Sequence, residues 1–287
     1  MQPGTVPRIT QKFGLGHHPG TVACLLLGGQ AQPATIAMSF EITAAHAMRL
    51  TAVAPVDPFT PPPRPTFSHS LRSLVEDIDP VAMHQSARSA IEEFEAHGHD
   101  NRLRVSRVVG GSDIRELTAK AAESDLVLVP ANVGMDGGWA EGWSEVAEFL
   151  VRRSDVAILR VSRKPLNVRK VVFVLSSTER CSQLARGYLE LGLWPEASIS
   201  ILPIGEYRPG VAENVREQLD LLRTRSRNAA LLPPIDLDFE AADLEQVLSP
   251  FQAAVMGHLS YRAGWFDSVR SDPFEVVASR APVVLVP

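Results

Sequence analysis

The stretch with the most chemical potential runs from Pro130 to Gly142, where Gly134, Gly137, Gly138 and Gly142 lie between an apolar run and an amphipathic segment. Glycine lets a backbone turn sharply or approach a ligand closely. Between a buried strand and the helix that follows it, such a loop offers free N–H groups to a phosphate. A plain connecting loop has the same composition, so both readings stand. Trp139 and Trp143 flank these glycines. Exposed, they serve a partner surface or a stacked ligand; buried, they fill the pocket. Ser176-Ser177-Thr178 offers hydroxyls to an anion, or caps the next helix.

Other constellations are weaker. His97-x-His99-Asp100 has metal-binding side chains but sits at the expected helix stop, Gly98, without a third ligand, and reads as a solvated turn. His17-His18 has no companion. Glu92-Glu93 and the Glu240/Asp243 pair fall on polar helix faces. Cys181 lies near a helix start, where a thiol pKa falls, yet no histidine is near it in sequence. G-x-S-x-G, G-x4-G-K-[ST], H-E-x-x-H and C-x-x-C are all absent. These residues single out no catalytic group.

The chain has 287 residues, 45% of them apolar, and a formal net charge of −5. That length allows two domains, and that charge does not suggest a nucleic-acid partner. The two cysteines, Cys24 and Cys181, build no disulfide framework and read as buried thiols of a cytoplasmic protein. No apolar run approaches the ~20 residues of a membrane span.

The elements that position the glycine loop alternate strand and helix. Residues 1–20 read as a tail. Strands are predicted at Val22–Leu27, Leu50–Val56, Leu103–Val109, Leu126–Val129 and Val156–Val161, with helices at Pro33–Arg49, Pro80–His97, Asp113–Glu123 and Glu145–Arg153. Asp57–Pro65 is too rich in proline for regular structure. After a short linker at Lys164–Asn167 the pattern restarts. Strands are predicted at Lys170–Leu175, Ser198–Ile204, Asn228–Leu237 and Val283–Val286, with Gln252–Gly257 open between strand and helix. The intervening helices are Glu179–Leu191, Val211–Arg225, Ala241–Leu248 and Pro273–Ser279. Two copies of one βα unit therefore occupy 21–163 and 168–287. Gly28 is aligned with Ser176 and Ile158 with Val284. The second copy is about twenty residues shorter, chiefly in the loop after its second strand and in the glycine-loop region. The fold class is α/β, with two doubly wound, mostly parallel five-stranded sheets in tandem.

At this point the sequence resembles the universal stress protein family in its tandem form, over about residues 21–287. The resemblance rests on Asp125-Leu126-Val127-Leu128-Val129, on Val146–Arg152 followed by Ala157–Val161, and on the ending Glu275–Val286 with its Ala281-Pro282 step. ATP-binding members carry G-x2-G-x9-G-[ST] before the last helix and an Asp after the first strand. Here Ala131, Gly134 and Ser144-Glu145 stand in the motif positions, and Gly28 or Gly29 replaces the Asp. In the second copy the comparable residues are Gly257, Ser260 and Ser271-Asp272, with Ser176 replacing the Asp. Glu145 and Asp272 would repel a phosphate unless a metal intervened.

The resemblance implies a candidate binding set of Gly28, Gly29, Val53, Ala131, Gly134 and Ser144 in the first copy, and Ser176, Ser177, Gly257 and Ser271 in the second. No cofactor is fixed by the residues; the resemblance implies ATP or AMP. It also implies that the fifth strands, Ala157–Val161 and Val283–Val286, pair to make an internal pseudo-dimer, with a further homodimer and a protein partner open. The leading expectation is a non-enzymatic, cytoplasmic stress-response or regulatory protein with nucleotide binding lost or altered. The alternatives are a sensor of adenine nucleotide or another small anion in one half, and a regulatory domain of a transporter-like system.

Overall fold

Short runs of Val, Ile and Leu become strands here because both sheet faces are covered by helices, so no alternation with polar residues is needed. A computed structural model describes residues 20–54, 80–101, 105–109, 114–131, 145–176, 182–205, 209–224, 226, 228–235, 241–257, 276–277 and 280–286. The first half contains β1 (Thr21–Leu25), α1 (Gln32–His46), β2 (Arg49–Ala54), α2 (Pro80–Asn101), β3 (Val105–Val109), α3 (Ile114–Ala121), β4 (Leu126–Pro130), α4 (Glu145–Arg153) and β5 (Ala157–Val161). The second contains β6 (Lys170–Ser176), α5 (Ser182–Leu191), β7 (Ser198–Ile204), α6 (Pro209–Arg223), β8 (Ala230–Leu231), α7 (Ala241–Leu248), β9 (Ala253–Met256) and β10 (Val283–Val286). Val276, Val277 and Arg280 are helical residues between β9 and β10.

The strand order is β3-β2-β1-β4-β5-β10-β9-β6-β7-β8 in one ten-stranded sheet. Each half is a five-stranded parallel unit with the same internal order. The two sheets read from the sequence are therefore joined edge to edge. The junction is the antiparallel pair β5–β10, with Val283 opposite Val161 and Val286 opposite Ile158. This pairing removes two open edges that would otherwise template association. It is reinforced beyond the strands: Ser162 N–H and Arg163 N–H both donate to Pro282 O, at 2.9 and 3.3 Å, and Ser162 Oγ donates to the same carbonyl at 2.9 Å.

One apolar cluster on each face runs across this junction. On one face α1, α2, α5 and α6 contribute Ile36, Phe94, Tyr188 and Val215, among others. On the other, α3, α4 and α7 contribute Leu117, Leu150 and Leu244, with Val277.

The register fixes which residues of the halves are equivalent. Val22 lies opposite Leu126, and Val171 opposite Ala253. Ser176 is thus the counterpart of Leu27, one place from the Gly28 expected, and Gly257 is the counterpart of Pro130 rather than Ala131. A one-residue slip would send every side chain to the wrong face, so burial decides the alignment. The alignment of Ile158 with Val284 stands, since Ala157 and Val283 both sit beside the first residue of the preceding strand. The shortening is concentrated in one crossover, from 55 positions (Thr51 to Ser106) to 30 (Ser200 to Ala230). The glycine-loop crossover barely changes, from 31 positions (Leu126 to Ala157) to 30 (Ala253 to Val283), which corrects the expectation of a loss there.

Three other local expectations change. Gln252–Gly257 resolves as strand, because Ala253–Met256 is buried between β6 and β10. Helix α2 continues through Gly98 to Asn101, so His97 and His99 are helical rather than in a turn. A single internal glycine costs about 1 kcal/mol, too little to stop a long packed helix. Among the described residues of the strand expected at Asn228–Leu237, pairing is limited to Ala230–Leu231 plus a bridge between Ile204 and Ile235, since Pro233-Pro234 cannot donate to a ladder.

Candidate functional site

Three adjacent strands, β2, β1 and β4, end together, and the expected residues Val53, Gly28 and Ala131 lie at those ends. This carboxyl edge is where open α/β sheets bind ligands. Gly28 and Gly29 turn the chain from β1 into α1 with φ of 84° and 83°. A Cβ on Gly29 would meet nothing within 4 Å. Glycine is required there by the left-handed backbone, not by crowding.

The first two donors of the turn are sealed from within by Gln32. Its side chain is 2% exposed. Oε1 accepts Leu27 N–H at 2.9 Å and Gly28 N–H at 2.8 Å, and Nε2 donates to Leu25 O at 3.1 Å. Leu26 N–H donates to Val53 O at 2.9 Å, and Ala131 N–H to Val161 O at 2.8 Å. The start of α1 is similarly occupied: Gln32 N–H reaches Gly29 O at 3.2 Å, Pro33 has no N–H, and Thr35 N–H reaches Ala31 O at 3.0 Å. Each of these donors is committed to protein. An anion arriving at this turn would have to displace hydrogen bonds worth about 1 kcal/mol apiece.

Ser176 closes β6 opposite Ile204, and Gly257 follows β9 half-buried. Gly134, Ser144, Ser177 and Ser271 lie outside the described residues, as do Trp139, Trp143, Trp265, Ser260, Asp272 and Cys181. The first-half positions Gly28, Gly29, Val53 and Ala131 are brought together, with Ser176 and Gly257 at the matching edge of the second half.

The other candidates find structural roles. His97 Nδ1 lies 3.1 Å from Glu93 O, and its ring centroid is 5.8 Å from that of Phe40. Among the described residues no three His, Cys, Asp or Glu converge on a metal position. Cys24 is fully buried, and burial pushes its thiol up to about 12, partly offset by a hydrogen bond with Ser39. That is the opposite of an activated nucleophile. Asp125, which leads β4, stands at the far end of the sheet. Its Oδ2 accepts Thr21 N–H at 2.8 Å and Thr21 Oγ1 at 3.1 Å, and its own N–H returns to Thr21 O at 2.9 Å.

Two residues escaped sequence reasoning. Gln32 carried a readable signal, a polar side chain immediately before the proline that opens a helix and just after Gly28-Gly29. Arg160 carried none, because it interrupts the apolar run of β5 at a single place. It is 1% exposed, opposite Val129 on one side and Val284 on the other.

No protein-family model matches the chain, and no curated protein matches it in sequence. Solved structures do match it over its length. A universal stress protein from Archaeoglobus fulgidus DSM 4304 superposes with a TM-score of 0.61 at 12% identity, covering 93% of this chain and 95% of that one. This is the universal stress protein fold. A candidate universal stress protein from Pseudomonas aeruginosa UCBPP-PA14 gives 0.56 at 11% identity, with 93% and 92% covered. A protein of unknown function from Pseudomonas aeruginosa PAO1 gives 0.55 at 12%, with the same coverage. Coverage above 90% on both sides means that the fold is matched over nearly the whole length of the chain. At such identities the shared property is the fold. What the edge of β1, β2 and β4 binds has to be argued from Gln32 and its neighbours.

Proposed function

We propose that this chain is a non-enzymatic regulatory or stress-response protein of the cytoplasm, in which first-half nucleotide binding has been lost or altered. The observation that carries the reading is Gln32. Its amide oxygen takes two backbone donors of the β1–α1 turn, Leu27 and Gly28 N–H, at the edge where the resemblance puts a nucleotide. No acidic residue replaces the missing Asp in that turn, since Gly28 and Gly29 stand there. The buried, protonated Cys24 gives no nucleophile. Among the described residues no helix is long and apolar enough to cross a membrane. A protein that keeps this fold without its small ligand acts through its surface, on a protein partner.

The test is made on the full chain purified without added nucleotide. Released small molecules are identified by mass spectrometry after denaturation, and ATP and AMP are then titrated by calorimetry. The expected result is an empty protein and no heat of binding. Stoichiometric nucleotide, or a Kd below about 100 μM (roughly −5.5 kcal/mol), overturns the reading and makes the edge a working site.

A further inference from the structure

We propose that the groove between α3 and α4 is a binding site for a small amphiphilic carboxylate. It lies toward the C-terminal end of α4, is open to solvent, and has a volume of about 310 Å³. Ala119, Ala122, Phe149 and Leu150 supply apolar lining, while Arg115 and Arg153 supply charge. The Arg153 guanidinium lies 5.9 Å from the centroid of the Phe149 ring, and both arginines are exposed. Among the described residues that line the groove there is no carboxylate.

The second half shows what this arrangement is built to meet. Helices α3 and α7 both end five residues before the next strand, at Ala121 and Leu248, so Thr118 corresponds to Glu245. Arg153 and Arg280 correspond as well. Each is directly followed by a residue whose N–H donates four places back, Ser154 to Leu150 O at 2.9 Å and Ala281 to Val277 O at 2.8 Å. In the second half Arg280 Nη2 meets Glu245 Oε1 at 2.6 Å, so there the protein supplies its own carboxylate from α7. In the first half the arginine is kept and the carboxylate is gone. Thr118 is 1% exposed, and its hydroxyl bonds back to Arg115 O at 3.0 Å.

The first-half groove therefore has a cation and an apolar wall where the corresponding residues of the second half form an ion pair. An occupant bearing a carboxylate on a compact apolar body restores the missing half. The carboxylate meets Arg153 and Arg115, and the body covers Phe149, Leu150 and the two alanines. The volume is at the small end of ligand pockets, which favours a small acid over a large cofactor.

The probe is sodium octanoate, titrated into the isotope-labelled full chain and followed by amide chemical shifts. The expected result is saturable shifts confined to α3 and α4, with a Kd in the millimolar range, and about twofold weaker binding to Arg153→Gln. Ala119→Glu, at an exposed position, supplies an internal carboxylate and should weaken octanoate to the same extent. Octylammonium, with the same chain and the opposite charge, should leave these amides unmoved. Absence of saturable shifts, shifts spread over the whole surface, equal binding to Arg153→Gln, or equal shifts with octylammonium would each overturn the proposal.

Discussion

Cys24 and Phe173 occupy the same place in the two halves, and so do Ser39 and Tyr188. In the first half the pair is small and polar, a buried thiol hydrogen-bonded with a serine. In the second it is aromatic, with ring centroids 5.1 Å apart in an edge-on contact. The first half recovers aromatic packing one layer out, where Phe40 of α1 meets Phe94 of α2 at 5.1 Å. The same backbone thus tolerates two fillings of one layer, provided the neighbouring helix compensates in volume. The ends of the sheet teach the complementary lesson. Asp125 holds the start of β1, and its counterpart Gln252 holds the start of β6 by accepting Lys170 N–H at 2.9 Å. There the chemistry of the cap is retained while the charge is not.

The largest expected effect separates the two fillings. Phe173→Ala removes a fully buried ring and its edge-on partner, and should cost about 3–5 kcal/mol, against about 1 kcal/mol for Cys24→Ala. Urea unfolding of both variants measures the contrast; equal losses would erase the distinction between the halves.

Next comes the sealed turn. Gln32→Ala leaves Leu27 and Gly28 N–H groups without their acceptor and should cost about 2 kcal/mol. Faster amide exchange at Leu27 and Gly28 is the local signature, and unchanged protection there would deny Gln32 its role.

A third effect is read in alkali. The Cys24 thiol holds its proton to about 12 when folded, against an ordinary 9.0. Its contribution is whole below pH 9. Above that the unfolded chain releases the proton while the folded chain keeps it, so stability falls as pH rises toward 12, by up to about 1.4 kcal/mol per unit. Cys24→Ala should remove that slope. Denaturant midpoints for both proteins between about pH 8 and 10.5 check it, and parallel curves would contradict it.

The smallest effect concerns the second-half ion pair. Arg280 and Glu245 are substantially solvated, so Glu245→Ala should change stability by less than about 0.5 kcal/mol. A larger loss would mean that the ion pair holds α7 in place, and would weaken its comparison with the open groove of the first half.

Much of this architecture was legible in the chain. The alternation of apolar runs with amphipathic segments predicted the βα order and the duplication, because strand and helix periods are local properties. Gly28 and Gly29 meet the positive φ of the turn after β1, a demand that a single residue must satisfy. The site was less legible. The sequence drew attention to Gly28, Gly29, Val53 and Ala131, and these do share one edge. It could not show that Gln32 folds back to close that edge, nor that Ser176 matches Leu27 instead of Gly28.

The sequence by itself determined the elements, their order and the repeated unit, through hydrophobic period and turn chemistry that act over a few residues. Tertiary structure alone decided three things: that the halves fuse through β5 and β10 into one sheet, that Gln32 satisfies the first two donors after the first strand, and that Arg280 meets Glu245 of α7 where the first half has Thr118. Each depends on groups from distant parts of the chain being held within hydrogen-bonding or van der Waals reach. Distances of that kind are set by register and packing, which no local pattern encodes.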